Sequence, residues 1–533
     1  MSTAGVRNYD IHKMLLFSNN FQTNPIDISR LFLNVTFNEN IFTPHLAGSI
    51  SISDQDGWLE ALPILGEEHL LLDIEPTSIT AIPPPLQYPN EALKGYFRIY
   101  KISPQERGQG KGSTYSLSFV STEYFQSQKT KVFQTYKEKK ISSIVQELYD
   151  RYIKKNIKSE YQKEIDIEPT LMLKNYVVPN ISAIKALLNL AKEALSEKIE
   201  NARGAIYVFY ETTEKFHFKS LETLMSQKSK RKFLYQPKNM NTEEAGERKL
   251  LSEAKFGIDL FTIIHSFDVL QNMRKGMYAS KLITYDFERM SYEEHTYSYI
   301  NPSLTKREQQ HLPTGDTVTI ESDGIESSIN SHVDRGKKMT ESLLCTQNME
   351  LLTNSDSNIT FQSTDQHQDL YFEKNHTRAG GFKEPGIKPK GIEDWVLQRS
   401  SQMQQLRNIQ VEVLLSTGDA SLHVGDIIEL DIPSEILIDN SGNMSNKYYS
   451  GKYLISAITQ VISPSDGFET TLSLLKNSLE TVPDKFNKEI IEETKSFSKT
   501  IGLEKAIEFK KLKNKIRGFG SIRTPTAIVA IKG

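Results

Sequence analysis

The sequence predicts an α+β, multidomain chain in which two all-β blocks are separated by a mixed segment. Three observations carry this. The chain has 533 residues, too many for a single hydrophobic core. Short segments of period two fill about the first 125 residues and return after Ile392. Between them the apolar residues follow the period of amphipathic helices.

In the first block, Leu31 to Phe37 alternates around Asn34 and Thr36 as a half-buried strand does. Ala47 to Ser53 is a second strand, stopped by the turn Asp54-Gln55-Asp56-Gly57. Trp58 to Leu62 is a short apolar link, and His69 to Glu75 a further strand. Pro83-Pro84-Pro85 forces an extended loop, because proline fixes φ and has no N–H. Tyr96–Ile102 and Thr114–Ser121 then read as a hairpin. Short strands divided by turns point to a small barrel or a sandwich.

The mixed segment opens on a helix with Ile144, Val145, Leu148, Tyr149 and Tyr152 on one face, and Ser143 with Gln146 forms a capping box. A second helix follows Pro179-Asn180, with a stripe of Ile184, Leu187, Leu188, Ala191 and Leu195. Ala205–Tyr210 is a buried strand that turns into Phe216–Lys219. After Phe256, Ile258 and Phe261, a helix runs through Val269 and Leu270 and ends at Gly276. Tyr278–Phe287 is a strand. Residues 300–390 are polar and lack a period, which is unusual for so long a connection.

The second block starts with a helix carrying Trp395, Val396, Arg399, Met403 and Leu406. Strands follow at Ile409–Leu414, Ile427–Leu430, Gly451–Ile458 and Thr470–Leu475, and this block matches the first in strand count and spacing. Beyond Pro483 a charged helix extends to about Lys515, before the apolar end Ala527–Ile531.

Composition narrows the function. A net charge of -3 argues against a dedicated nucleic-acid binder. The single cysteine, Cys345, excludes a disulfide within the chain and makes a cysteine zinc site implausible. The N-terminus has no apolar run of signal-peptide length, and no stretch approaches the roughly 20 apolar residues that cross a bilayer. Direct membrane insertion is not expected.

No chemical motif survives inspection. Gly108-Gln109-Gly110-Lys111-Gly112 lacks the spacing of a phosphate loop and lies between strands, so it reads as a hairpin loop. His367 and His376, with Asp365 and Asp369, do not show the helical spacing of a zinc protease. His45, His69 and His265 sit among apolar residues and read as hydrogen-bonded histidines. Glu67-Glu68 and Glu293-Glu294 are adjacent pairs, and neighbours on a strand face opposite ways. Glycoside hydrolysis needs carboxylates that converge across a bond. Cys345 has no partner motif. The tail helix sets Lys505, Lys510, Lys511, Lys513, Lys515 and Arg517 against Glu489, Glu492, Glu493, Glu504 and Glu508, which reads as a solvated face or a docking segment. No catalytic, cofactor-binding or metal-binding residue is assigned, and no cofactor is expected.

Several segments nevertheless carry a resemblance. They are the helix Ile181–Leu195 with Gly204–Glu211 and Phe216–Leu221, then Gly276–Asp286, then Val424–Leu430 with Pro433 and Tyr449–Ile455. In order and pattern they resemble the central baseplate hub proteins of contractile-tailed phages, which are related to the hub part of type VI secretion spike proteins. The resemblance spans most of residues 1–480. It implies two antiparallel β-barrels of tail-tube type with an inserted α+β domain. The expected division is a first tube-like barrel at 1–127, an α+β domain at 128–235, and a shared segment at 236–299. A polar insertion at 300–391, a second barrel at 392–480 and a C-terminal helical extension at 481–533 complete it. The resemblance further implies a homotrimer in a virion tail baseplate, assembled in the bacterial host cytoplasm. Its partners would be the tail tube protein, central spike protein, baseplate wedge proteins and tape measure protein, with transient passage of DNA. Three chains with two barrels each give a pseudo-sixfold ring that fits a sixfold tube and a threefold spike. On this reading the chain is not an enzyme. The rival readings are a tail-associated cell-wall hydrolase, a hub of a non-viral contractile injection system, and a receptor-binding tail protein.

Overall fold

The computed structural model describes residues 9–17, 25–57, 64–76, 93–103, 106–107, 113–157, 161–197, 206–235, 257–298, 358–363, 396–433 and 446–476, apart from a few positions inside these spans. The expected Trp58–Leu62 link, triproline loop, Gly108–Gly112 loop and C-terminal helix lie outside the described residues, as does most of the polar insertion.

The first β module contains β1 (Tyr9–Phe17), β2 (Ile26–Asp27), β3 (Phe32–Asn40), β4 (Ala47–Asp54), β5 (His69–Pro76), β6 (Leu93–Ile102), β7 (Glu106–Arg107) and β8 (Ser113–Ser121). Alternation makes these strands: in β5, Leu70, Leu72 and Ile74 point into the core while the residues between them stay half-exposed. The main strands lie in the order β1-β5-β6-β8-β4-β3, with β2 on β1 and β7 on β8. Inside, Phe97 packs 5.4 Å from Phe37 and 4.9 Å from Phe119, measured between ring centroids. Burying each ring contributes roughly 1.5–3 kcal/mol. The sheet curls enough for the Ile28 N–H to donate to the Met14 carbonyl at 3.0 Å, so the approach to β3 leans on β1.

The mixed region holds a helix at Thr122–Lys129, β9 (Lys131–Lys140), a helix at Ile141–Tyr152, β10 (Glu164–Ile167), β11 (Leu173–Ser182), a helix at Ala183–Glu193, β12 (Tyr207–Glu211), β13 (Lys215–Ser220) and a short helix at Leu221–Met225. β9 and β11 form a ribbon, and β10-β13-β12 a small sheet. The two predicted helices bury Ile144, Leu148, Ile184 and Leu187 in one core with Phe209, Phe216 and Phe218. The capping box is a correction. The first helix begins at Ile141 with Lys140 at its cap and no side-chain cap bond. Its Ser142 N–H is instead satisfied at 2.9 Å by the Thr170 hydroxyl, a distant partner that no local motif announces.

The second β module contains β14 (Arg231–Tyr235), β15 (Gly257–His265), a helix at Val269–Arg274, β16 (Ala279–Asp286), β17 (Ser291–Ser298), β18 (Ile359–Ser363), a helix at Val396–Leu406, β19 (Ile409–Leu415), β20 (Ile427–Asp431), β21 (Gly451–Ser463) and β22 (Gly467–Lys476). Gly276, at φ +74, ends the Val269–Arg274 helix as the sequence predicts. Six strands close into a barrel, β14-β20-β21-β22-β19-β15 and back to β14. β16, β17 and β18 form a separate sheet under the Val396–Leu406 helix, so the polar stretch supplies at least one strand. β14 and β15, which no local signal marked as strands, complete the ring.

Number the six main strands of each module by their place in the chain. Both modules are then laid out first-fourth-fifth-sixth-third-second. They differ in that β14 runs parallel to β20 while β1 runs antiparallel to β5. β3 also pairs antiparallel with β21, Val35–Asn40 against Ala457–Ile462, so one sheet passes from module to module.

Candidate functional site: the junction of the β modules

The strand β3 builds this junction. Its inward positions are Phe32, Val35, Phe37 and Glu39, so a carboxylate occupies a place that alternation reserves for an apolar group. Buried there, Glu39 needs compensation. It accepts from the Thr213 N–H at 3.2 Å and the Val424 N–H at 3.3 Å, and His423 Nδ1 lies 3.6 Å away. One side chain of the first module thereby holds the β12–β13 turn and the loop before β20.

A second buried carboxylate answers it. Glu211, at the end of β12, receives Lys163 Nζ at 2.7 Å on one oxygen and the Leu46 N–H at 3.1 Å on the other. Lys163 also donates to the Thr212 carbonyl at 3.0 Å. Burial opposes the charge on Lys163, but Glu211 and Glu123 outweigh it and raise its pKa. Glu123, on the Thr122–Lys129 helix, is pushed up to about 7 by burial, against the pull of Lys163 and with help from Glu211. His423 is raised: burial lowers it, and the hydrogen bond and charge of Glu39 more than offset this.

The barrel is pinned from the other side. Arg231 of β14 is buried in an ion pair with Asp419, and its guanidinium donates to the Ser421 hydroxyl at 2.5 Å. Asp419 accepts from the Ser421 N–H at 3.0 Å, while its own N–H donates to the Thr470 hydroxyl at 3.0 Å. Gln460, on the stretch of β21 that pairs with β3, donates to the Asp419 carbonyl at 3.2 Å. Across the seam, Thr459 donates to the Asn38 side chain at 3.0 Å. Glu39 and Glu211 take backbone N–H groups from distant segments and Asp419 takes Arg231, so the three carboxylates clamp chain segments together.

The residues singled out in the sequence fall elsewhere. Glu68 caps its own turn, accepting from the N–H groups of Leu65 and Gly66 at 2.9 and 2.8 Å. Glu67, the Gly108–Gly112 loop, Cys345, His367 and His376 lie outside the described residues. Glu293 and Glu294 are neighbours on β17: Glu294 pairs with Lys281 at 3.6 Å, and Glu293 lies 3.6 Å from His295. His45 stacks on Tyr124 at 4.0 Å, and burial lowers its pKa. His69 bonds Arg98 at 2.7 Å, and His265 sits on β15. Among the described residues no group of three or more metal-ligating side chains occurs, and no helix is long and apolar enough to cross a membrane. Reading by motif passed over Glu39, Glu123, Lys163, Glu211 and His423. The legible signal was Glu39, whose place in the buried phase of β3 demands a partner.

No family model matches the sequence, and neither does any curated protein. Solved structures do resemble it. The tail protein from Neisseria meningitidis MC58 aligns over 88% of this chain and 97% of its own, at 8% identity and a TM-score of 0.44. The 43 kDa tail protein of prophage MuSo2 from Shewanella oneidensis aligns over 88% and 99%, at 9% identity and 0.44. An Escherichia coli component of the type VI secretion system aligns over 88% and 77%, at 9% identity and 0.34. The structural neighbours of this chain thus include two tail proteins, one of them from a prophage, and a type VI secretion component.

Proposed function

We propose that this chain is a structural hub of a contractile tail baseplate, joining the tail tube to the central spike as a trimer. One observation carries the reading: a single chain contains the same six-strand order twice, set side by side through β3 and β21. A duplicated module solves a symmetry mismatch, since three chains present six similar modules to a sixfold tube and still offer a threefold face to a spike. On this reading both modules are tube-like barrels, the first at 1–127 and the second centred on 392–480. The α+β domain at 128–235 would then lie between them, and the segment at 236–299 would be shared between the second barrel and the α+β domain. β14 and β15 belong to the second barrel, so its sequence is split around the β16–β18 sheet and the 300–391 insertion. Residues 481–533 would dock on a neighbouring baseplate protein. The ring would line a path for tape measure protein and DNA, and the near-neutral charge suits a lumen that must not hold DNA tightly.

Purifying the chain together with a tail tube protein and a spike protein from the same genome tests this. Capture of both partners in one complex is expected. Binding to neither, or lysis of cell walls by the isolated chain in a zymogram, would overturn it.

A further inference from the structure

The two β modules share two bulges at matched places. β3 bulges between Phe32 and Asn34 where it pairs with β4, and β15 bulges between Ile258 and Leu260 where it pairs with β19. β6 bulges between Ile99 and Lys101 against β8, and β21 between Ile455 and Ala457 against β22. Bulges are specific local features, so their recurrence at matched places fixes the alignment. It sets Ile263 of β15 in the place of Phe37 of β3, and Lys101 of β6 in the place of Ala457 of β21.

Among the described residues this junction is filled only once. Just past its bulge, β21 pairs with β3, and Phe37 is 1% exposed. The matching stretch of β15 has β19 on one side, and among the described residues no strand on the other beyond Ile258. There Ile263 is 40% exposed, Leu260 56% and Ile264 53%. The matching stretch of β6 has β8 on one side, and β5 leaves it at Arg98. There Tyr100 is 54% exposed. Among the described residues two edges therefore stay unfilled, one from each half of a junction whose other copy is complete.

We propose that β15 of one copy adds to β6 of the next, repeating the β3–β21 junction between chains. The inference rests on the trimeric hub reading and names the surface that would build it. The contact is head-to-tail, so it closes only as a ring, and a free strand edge with exposed apolar side chains demands such a partner. Carrying the internal register across, with the second bulge of β15 between Ile263 and His265 allowed for, places Ser103 opposite His265.

The test uses the full chain with Cys345→Ser, which removes its sole cysteine. Ser103→Cys and His265→Cys are then introduced together. Facing residues of antiparallel strands lie about 4.5–5.5 Å apart, within disulfide reach. Mild oxidation should give bands of two and three chains that collapse with reductant. Each single variant alone should give none, and a mixture of the two single variants should give only the two-chain band. If the parent protein has the mass of three copies and the double variant does not cross-link, this surface is wrong while the hub reading stands. If the parent has the mass of one copy, both fall.

Discussion

At the scale of single residues, stability should depend on charges that motif reading ignores. Lys163→Met leaves Glu211 buried without its cation, and breaking a buried pair from one side costs about 3–5 kcal/mol. Adding Glu211→Gln should recover part of that loss, because the amide oxygen still accepts from the Leu46 N–H. Urea unfolding of the two variants checks both outcomes. Glu123 and His423 set a pH dependence of one sign. Glu123 titrates at its ordinary 4.5 when unfolded and at about 7 when folded, so stability present below 4.5 is lost as pH rises to about 7. His423 is raised above its ordinary 6.5, so its contribution is complete below 6.5 and is lost as pH climbs through the higher folded value. These two groups therefore pull the melting temperature down between pH 5 and 8, opposed below about 6.5 by His217 and His45, whose pKa values burial lowers, and Glu123→Gln should remove the Glu123 share of that pull. An unchanged slope in the variant would show that Glu123 is not its source.

At the scale of elements, close strand packing at Gly48 should be the least forgiving point of the first module. A Cβ there would lie 2.3 Å from the Thr36 carbonyl oxygen and 2.4 Å from the Phe119 ring. Gly48→Ala should cost about 1–3 kcal/mol, the range for overpacking a core, and lower the melting temperature accordingly. Legibility also divides at this scale. Strands such as β5 and helices such as Ala183–Glu193 announce themselves, because one of their faces meets a core and the other meets water. β9 and β11 form a two-stranded ribbon with Phe133 and Val177 on its exposed side, so their alternation does not separate apolar from polar. β14 and β15 pair mainly with strands some 150 to 200 residues away in sequence, and β15 alternates poorly because it bulges twice. The partners of Glu39, Glu211 and Arg231 are distant in sequence too, Thr213 and Val424 for the first, Lys163 and Leu46 for the second, Asp419 and Ser421 for the third, so only the folded chain brings them together.

At the scale of the whole molecule, cores and sheets are shared across the seam. Ile462 and Phe468 of the second module join the core of the first, and Ile41 of the first joins that of the second. The modules should therefore unfold together, and differential scanning calorimetry should show one transition for both β modules. The same seam, repeated between chains, would make the ring. The central claim is that duplicated modules let three chains stand in for six, and sedimentation equilibrium of the purified full chain tests it most directly. The account predicts three times the 60.8 kDa chain mass, held on dilution into the micromolar range. A species that stays at one chain, or settles at two, would contradict it.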